Sequence, residues 1–268
     1  MSKSKYQVYP TDLSRRQWKR LLPLLPKARS GPQLPGRPIV DRRLVINGLL
    51  YLNKTGCQWR MLPKEYGSWN TVYGYFNTWS SDGVWETLMT RLRQKERQRQ
   101  GRKADPSGAC VDSQSVRTAT QGQAVGMDGG KYVKGRKRHI LVDTLGLLLA
   151  VLVTSANTSD KVGLRLLLTH YFRRGVNRLR CLWVDQGYSG TPLARWVASL
   201  KKSFKMKLEF GRQHGKGFQL VKKRWVVERT LAWLFSARRN AKDYETLTRN
   251  SAAMLQISMI SILLRRQP

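Results

Sequence analysis

From residue 109 onward, short β-type runs alternate with helical segments, and the order of these segments restricts the fold more tightly than composition does. Residues 109–112 read as a strand. Residues 138–142 and 147–154 read as two more, joined by Asp143-Thr144-Leu145-Gly146 as a hairpin turn. A helix over 162–172 capped by Asp160 follows, then a strand over 179–184, a helix over 192–200 and a last strand over 204–210. Two helices close the chain, one through Glu228 and one over about 250–264.

The first hundred residues are helical in pattern. Apolar spacing predicts helices over 13–22, ended by Pro23, and over 42–52, capped by Asp41 and ended near Gly56. Two more follow over 69–79, capped by Ser68, and over about 84–97, capped by Asp82; a Pro/Gly-rich loop fills 26–38. Short helices with tight connections suggest a helix-turn-helix-like module. In it residues 69–77 would be the recognition helix, with Trp69, Asn70 and Tyr73 able to reach DNA. The plainer alternative is a helical bundle with those aromatics in its core. The polar, charged stretch 95–108 marks a boundary between an all-α domain, residues 1–100, and an α/β domain, residues 101–268. The element order of the second is that of the ribonuclease H-like fold, a mixed five-stranded sheet with flanking helices. Its first and fourth strands lie side by side and parallel.

Composition narrows the partner. Fifty Lys and Arg stand against 16 Asp and Glu, a net charge of +34 whose self-repulsion a polyanion would relieve. The positive charge runs through the whole chain and not along one amphipathic helix, which favours nucleic acid over a membrane surface. Three cysteines, Cys57, Cys110 and Cys181, without a CxxC pair, argue against a disulfide framework or a zinc site. No apolar run approaches the roughly 20 residues that span a bilayer, so the expectation is a soluble, cytoplasmic protein.

Against this background three carboxylates on apolar segments stand out: Asp112 after Val111, Asp185 after Trp183-Val184, and Glu228 after Trp225-Val226-Val227. In the expected topology Asp112 and Asp185 end the two adjacent parallel strands. Glu228 sits in a helix apolar on several sides, where a lone charge is costly, so it needs a cation: Arg224, Arg239 or a metal. Two Asp and a Glu suit a pair of Mg²⁺ or Mn²⁺ ions, which stabilise the attacking and leaving oxygens of an in-line phosphodiester displacement. Asp143 reads instead as turn-forming, Asp160 as a helix cap, and Asp243 with Glu245 as ion-paired on a basic surface.

Four motifs in order resemble bacterial insertion-sequence transposases of the Asp-Asp-Glu type, most of all the insertion-sequence-five group. They are Val111-Asp112-Ser113-Gln114-Ser115-Val116, Lys134-Gly135-Arg136-Lys137-Arg138-His139, Val184-Asp185-Gln186-Gly187-Tyr188 and Arg224-Trp225-Val226-Val227-Glu228-Arg229-Thr230. The resemblance implies that Asp112, Asp185 and Glu228 form the metal-binding triad, with two ions per site. It also implies that Arg224 is the arginine of the family's Tyr-Arg-Glu-Lys signature. That signature's tyrosine position is Val221 here and its distal basic position is Phe235, whose role Arg238, Arg239 or Lys242 could take over. Only 43 residues separate Asp185 from Glu228, too few for a large inserted domain.

The activity implied is cleavage at transposon ends and transfer of the freed 3′-hydroxyl to target DNA. A dimer or larger assembly of the chain would hold two ends together. Lys137, Arg138, Arg224, Arg229 and Arg239 would contact phosphates, as would the basic stretches 117–138 and 201–224. The last helix, 254–264, is a candidate subunit surface or a core element. Two rivals remain: a nuclease of the same fold that cuts without joining, and a non-catalytic DNA-binding protein.

Overall fold

In the computed structural model, residues 9–27, 40–119, 122–173, 175, 178–200, 206–210 and 224–267 are described. They form α1 (Arg15–Leu21), α2 (Arg42–Thr55), α3 (Trp69–Ser81) and α4 (Val84–Arg99), then β1 (Gly108–Arg117), β2 (Gly126–Asp128), β3 (Val133–Asp143) and β4 (Leu148–Ser155). After these come α5 (Asp160–Phe172), β5 (Cys181–Val184), α6 (Thr191–Ser199), β6 (Lys207–Phe210), α7 (Arg224–Phe235) and α8 (Thr248–Arg266).

Local chemistry sets most of these limits. Ser14 and Gln17 form a reciprocal capping box at the start of α1. Asp41 accepts from the Arg43 amide to cap α2, which Gly56 ends in a left-handed turn. Two expected caps differ. Asp82 closes α3, and Gly83, with φ of 68°, opens α4. Ser159 caps α5, so Asp160 is the first residue of that helix.

The sheet order is β2-β3-β1-β5-β6, with β4 also paired to β3, so the expected five strands gain the short β2. β1 runs antiparallel to β3 and parallel to β5, and β5 is parallel to β6. The hairpin between β3 and β4 closes as expected. Asp143 exchanges backbone hydrogen bonds with Gly146 and Leu147, its Oδ1 accepts from the Leu145 and Leu147 amides, and Gly146 takes the positive φ of 81° that the turn needs.

Two apolar layers sandwich the sheet. One, containing Val111, Leu141, Leu182 and Val184, lies under α5 and α6. The other is continuous from Leu13 through α2, α3 and α4 to Cys110, Ile140, Val142, α7 and α8. The helical amino-terminal region and the sheet therefore share one core, although a polar linker separates them in sequence. α8 is the shared element, packing on α2, α3, α4 and β4 with Met254, Leu255, Ile257, Met259 and Ile260 all buried. It is a core helix, not a subunit surface.

A buried ion pair joins the two regions. Arg97 near the end of α4 donates to Asp143 at the hairpin, both buried, and its Nε donates to the Lys103 carbonyl at 2.9 Å. Removing one partner would leave the other charge buried without its counterion. Arg97→Met should lower unfolding free energy by about 3 kcal/mol, read as a fall in the urea midpoint at unchanged slope.

His139 gives a second test. Its ring is buried against Gly163, with Nε2 2.9 Å from the Thr154 hydroxyl, and burial holds its pKa down at about 4. In the unfolded chain it returns to about 6.5. Between those values the unfolded state takes up a proton that the folded state refuses. Stability should therefore fall as pH drops from about 6.5 to about 4, by up to about 3 kcal/mol. Urea titrations across this range should show that slope flattened in His139→Gln.

Candidate active site

The two aspartates are brought level by strand register. β1 pairs with β5 through Cys110↔Trp183, and Asp112 and Asp185 each lie two residues beyond that pair. Alternation along β1 puts Val111 in the layer under α5 and α6 and Cys110 in the layer under α7, so Asp112 shares the α7 face.

Asp185 directly follows β5 and leads into a short 3₁₀ turn, Gln186–Tyr188. Asp112 departs from expectation, because it lies within the ten-residue β1 and not at its end. The reason is β3, which carries the ladder with β1 on to Arg117↔Gly135 after β5 has stopped. Asp112 thus sits where β1 loses its β5 neighbour.

One Asp112 oxygen accepts from the Ser113 amide at 2.7 Å. Asp185 Oδ1 is buried and has no hydrogen-bond partner. A buried carboxylate oxygen without a donor is costly in an apoprotein and suits a hard divalent cation.

Glu228 comes from α7. Val226, Val227, Thr230 and Leu234 are buried against the sheet. Thr230 donates to the Gly146 carbonyl at 2.8 Å and Arg229 to the Leu145 carbonyl at 3.1 Å, so one side of the helix faces the β3–β4 hairpin. Phe235 faces the other way, lining a small cavity with Gln114, Ser115, Val116 and Arg117. Seven residues is about 20° short of two full helical turns, so Glu228 shares the Phe235 edge, toward the carboxyl half of β1.

Glu228 is exposed, unlike the buried charge its sequence context suggested. Among the described residues, no three acidic, histidine or cysteine side chains are close enough together to ligate an ion. The aspartates are adjacent, and Glu228 stands on the facing helix edge.

Three side chains at this site were not singled out from sequence. Ser113 Oγ donates to Asp160 at 2.6 Å. Tyr188 is buried, and burial together with the charges of Asp160, Asp112 and Asp185 pushes its phenol up. Asp160 read as a cap because it precedes a helix; only the fold reveals that its charge, like those of Asp112 and Asp185, acts on the Tyr188 phenol. Lys137 lies 3.4 Å from Asp160 and 3.6 Å from Asp128 and is buried, so its charge is neutralised internally.

Other expected phosphate contacts also have internal partners. Arg138 is buried, donates to the Asn240 and Lys242 carbonyls, and burial lowers its pKa to about 10. Arg239 is buried against Glu245 at 2.8 Å and donates to the Cys57 carbonyl. Asp243 and Glu245 are ion-paired as expected, but inside the protein, with Arg136 and Arg239.

Arg229 is stacked between the Trp225 and Trp233 rings at 4.4 and 4.5 Å. The Arg224 side chain, Val221 and the rest of 201–205 and 211–223 lie outside the described residues. On α3, Trp69 is half-buried with Arg60 over its ring, Tyr73 packs edge-on to Trp59, and Asn70 is exposed.

Comparison with known proteins matches both segments. The family described as "Transposase DDE domain" matches residues 103–263, and that described as "Putative transposase of IS4/5 family" matches 13–89. An insertion element IS402 uncharacterized 16.2 kDa protein from Burkholderia cepacia is 38% identical over 116 residues, 41% of this chain and 75% of the relative. A "Putative transposase for insertion sequence element IS402" from the same organism is 34% identical over 130 residues, 46% of this chain and 60% of that protein. No solved structure matches the chain. With a transposase domain matched over residues 103–263 and an aspartate two residues beyond the last β1–β5 pair on each strand's path, the chain belongs to the DDE transposases of bacterial insertion sequences.

Proposed function

We propose that this transposase binds the terminal repeats of its insertion sequence and catalyses metal-dependent strand cleavage followed by strand transfer. The observation that carries this reading is the level pair Asp112 and Asp185, with a buried, unbonded Asp185 oxygen and Glu228 on the facing edge of α7. These three residues would hold Mg²⁺ or Mn²⁺, two ions per site, with Glu228 contributed from α7. Bound there, the ions supply charge stabilisation at the attacking and leaving oxygens of the phosphodiester.

The protein's own groups do the positioning. Ser113 fixes Asp112 through its amide and holds Asp160 through its hydroxyl, which keeps Asp160 turned toward Lys137. The end-binding surface is the outer face of α3, where Asn70, Gly74 and Thr78 recur one turn apart and are all exposed. Small side chains there let a helix approach DNA closely. Trp69 and Tyr73 support that face from beneath. Exposed cations steer and hold the backbone, and the assembly contains at least two copies of the chain, one for each transposon end. No helix among the described residues is long and apolar enough to cross a membrane.

With DNA bearing the sequences that flank the gene, Mg²⁺-dependent cleavage and 3′-end joining should occur in the wild type. Asp185→Asn and Glu228→Gln should each reduce both steps by about 100-fold or more, a loss of about 2.7 kcal/mol of transition-state stabilisation, while gel-shift affinity for the ends is kept. Equal activity in wild type and both variants would sink the assignment. Cutting without joining would favour a nuclease of the same fold.

A further inference from the structure

A second basic feature lies at the opposite end of β1 and β5 from the carboxylates. A cavity of about 530 Å³ opens beside Gly108 and Cys181, the first residues of those strands. Four residues of strand separate Gly108 from Asp112 and Cys181 from Asp185, about 13 Å at the usual rise. The β3–β4 hairpin borders the cavity through Thr144, and α7 packs on that hairpin.

Five of the lining residues are cationic, Arg97, Arg102, Lys103, Arg178 and Arg180, and none is acidic. Clustering like charges around a concave wall costs self-repulsion, and such a cleft raises the local concentration of anions.

The walls are built and held. Arg97 is fixed between Asp143 and the Lys103 carbonyl, anchoring the linker that carries Arg102 and Lys103. Arg178 donates to the Asp105 carbonyl at 2.9 Å, and the Arg180 and Cys181 amides both donate to the Ser107 carbonyl. Trp183 forms an apolar side, its indole N–H bonded to Glu209 at 2.6 Å.

We propose that this cavity is a phosphate-binding site that grips the DNA backbone outside the catalytic cleft, at a distance equivalent to roughly four base pairs of duplex axis. Arg102, Lys103 and Arg180, all exposed at its mouth, make the contacts, and Arg97 and Arg178 set their spacing. The choice of DNA as the source of the phosphates rests on the transposase reading; the anion preference of the cavity does not.

The test uses Cys181 as a reporter in the wall of the cavity. The full-length protein is alkylated with a maleimide alone, with a 30-bp duplex, or with ATP at equal phosphate concentration, and labelling of Cys181 and Cys57 is read by peptide mass spectrometry. Protection of Cys181 by duplex at least fivefold greater than by ATP, with Cys57 unaffected, is expected. Protection by ATP but not duplex would overturn DNA as the occupant, and protection by neither would overturn the site.

In parallel, Arg102→Ala with Arg180→Ala should weaken duplex binding about tenfold or more. It should also lower the slope of log affinity against log salt by about 2, one phosphate per cation. Arg15→Ala with Lys19→Ala, exposed on α1 and not part of the cavity lining, serves as the charge-matched control. Equal effects of the two pairs would also overturn the site. A wild type that bound no duplex at all would instead count against the transposase reading, so the two failures are distinguishable.

Discussion

The unequal pairing of β1 is the constraint on which the site depends. On one side it exchanges a long antiparallel ladder with β3, and on the other only a short parallel one with β5. Where β5 ends, β1 continues, leaving Asp112 in a strand still held rigid by β3 while the space beside it opens. Asp185, the first residue beyond β5, meets it there. A shift of one residue in either register would turn one carboxylate to the other face of the sheet, because strand side chains alternate. The apolar neighbours Ala109, Val111, Leu182 and Val184, buried in a single layer, oppose such a shift.

The large positive charge is not all available to DNA. Arg136 is fully buried, donating to the Gln123, Glu245 and Thr246 carbonyls and lying 3.2 Å from Asp243. Arg138 and Arg239 tie the same segment, residues 238–246, to β3 and to the end of α2. Guanidinium groups suit this work because several donors in one plane satisfy several carbonyls that would otherwise be buried unbonded. The Lys-Gly-Arg-Lys-Arg motif is therefore partly a structural staple. On the proposed reading the DNA-facing charge lies on other residues, among them Arg102 and Lys103, exposed in the linker that follows α4.

Period-two apolar runs and a Gly-terminated turn are local signals, so the strands and the β3–β4 hairpin were legible in the sequence, whereas the pairing of the strands that lead to Asp112 and Asp185 followed only from the likeness of the element order to the ribonuclease H-like fold. The sequence left other features unreadable for a physical reason: they depend on contacts between residues far apart in the chain. β1 read as four residues because Ser113–Arg117 is polar, and only β3 reveals it as strand. Lys137, Arg138 and Arg239 read as exposed because cations usually are, and their internal carbonyl and carboxylate partners lie on other elements. Glu228 read as buried because its neighbours are apolar, yet those neighbours occupy the other faces of α7. Tyr188 lies in the motif that carries Asp185, but nothing local marks its phenol as buried near the charges of Asp112, Asp185 and Asp160.

The shared core carries a mechanical consequence. α8 is buried among α2, α3, α4 and β4, and Asn53 on α2 donates to the Met254 carbonyl at 3.1 Å, so the helical region is held to the sheet over a broad apolar surface. Arg97 and Asp143 add a desolvated ion pair at the same junction. Two domains on a flexible tether would let a bound DNA end sample many orientations before reaching the carboxylates. A fused core fixes the angle between the α3 face and the carboxylate pair, so orientation is established during folding and need not be acquired at each encounter. On the proposed function, the freedom to bring two ends together would reside between copies of the chain and not between its helical region and its sheet.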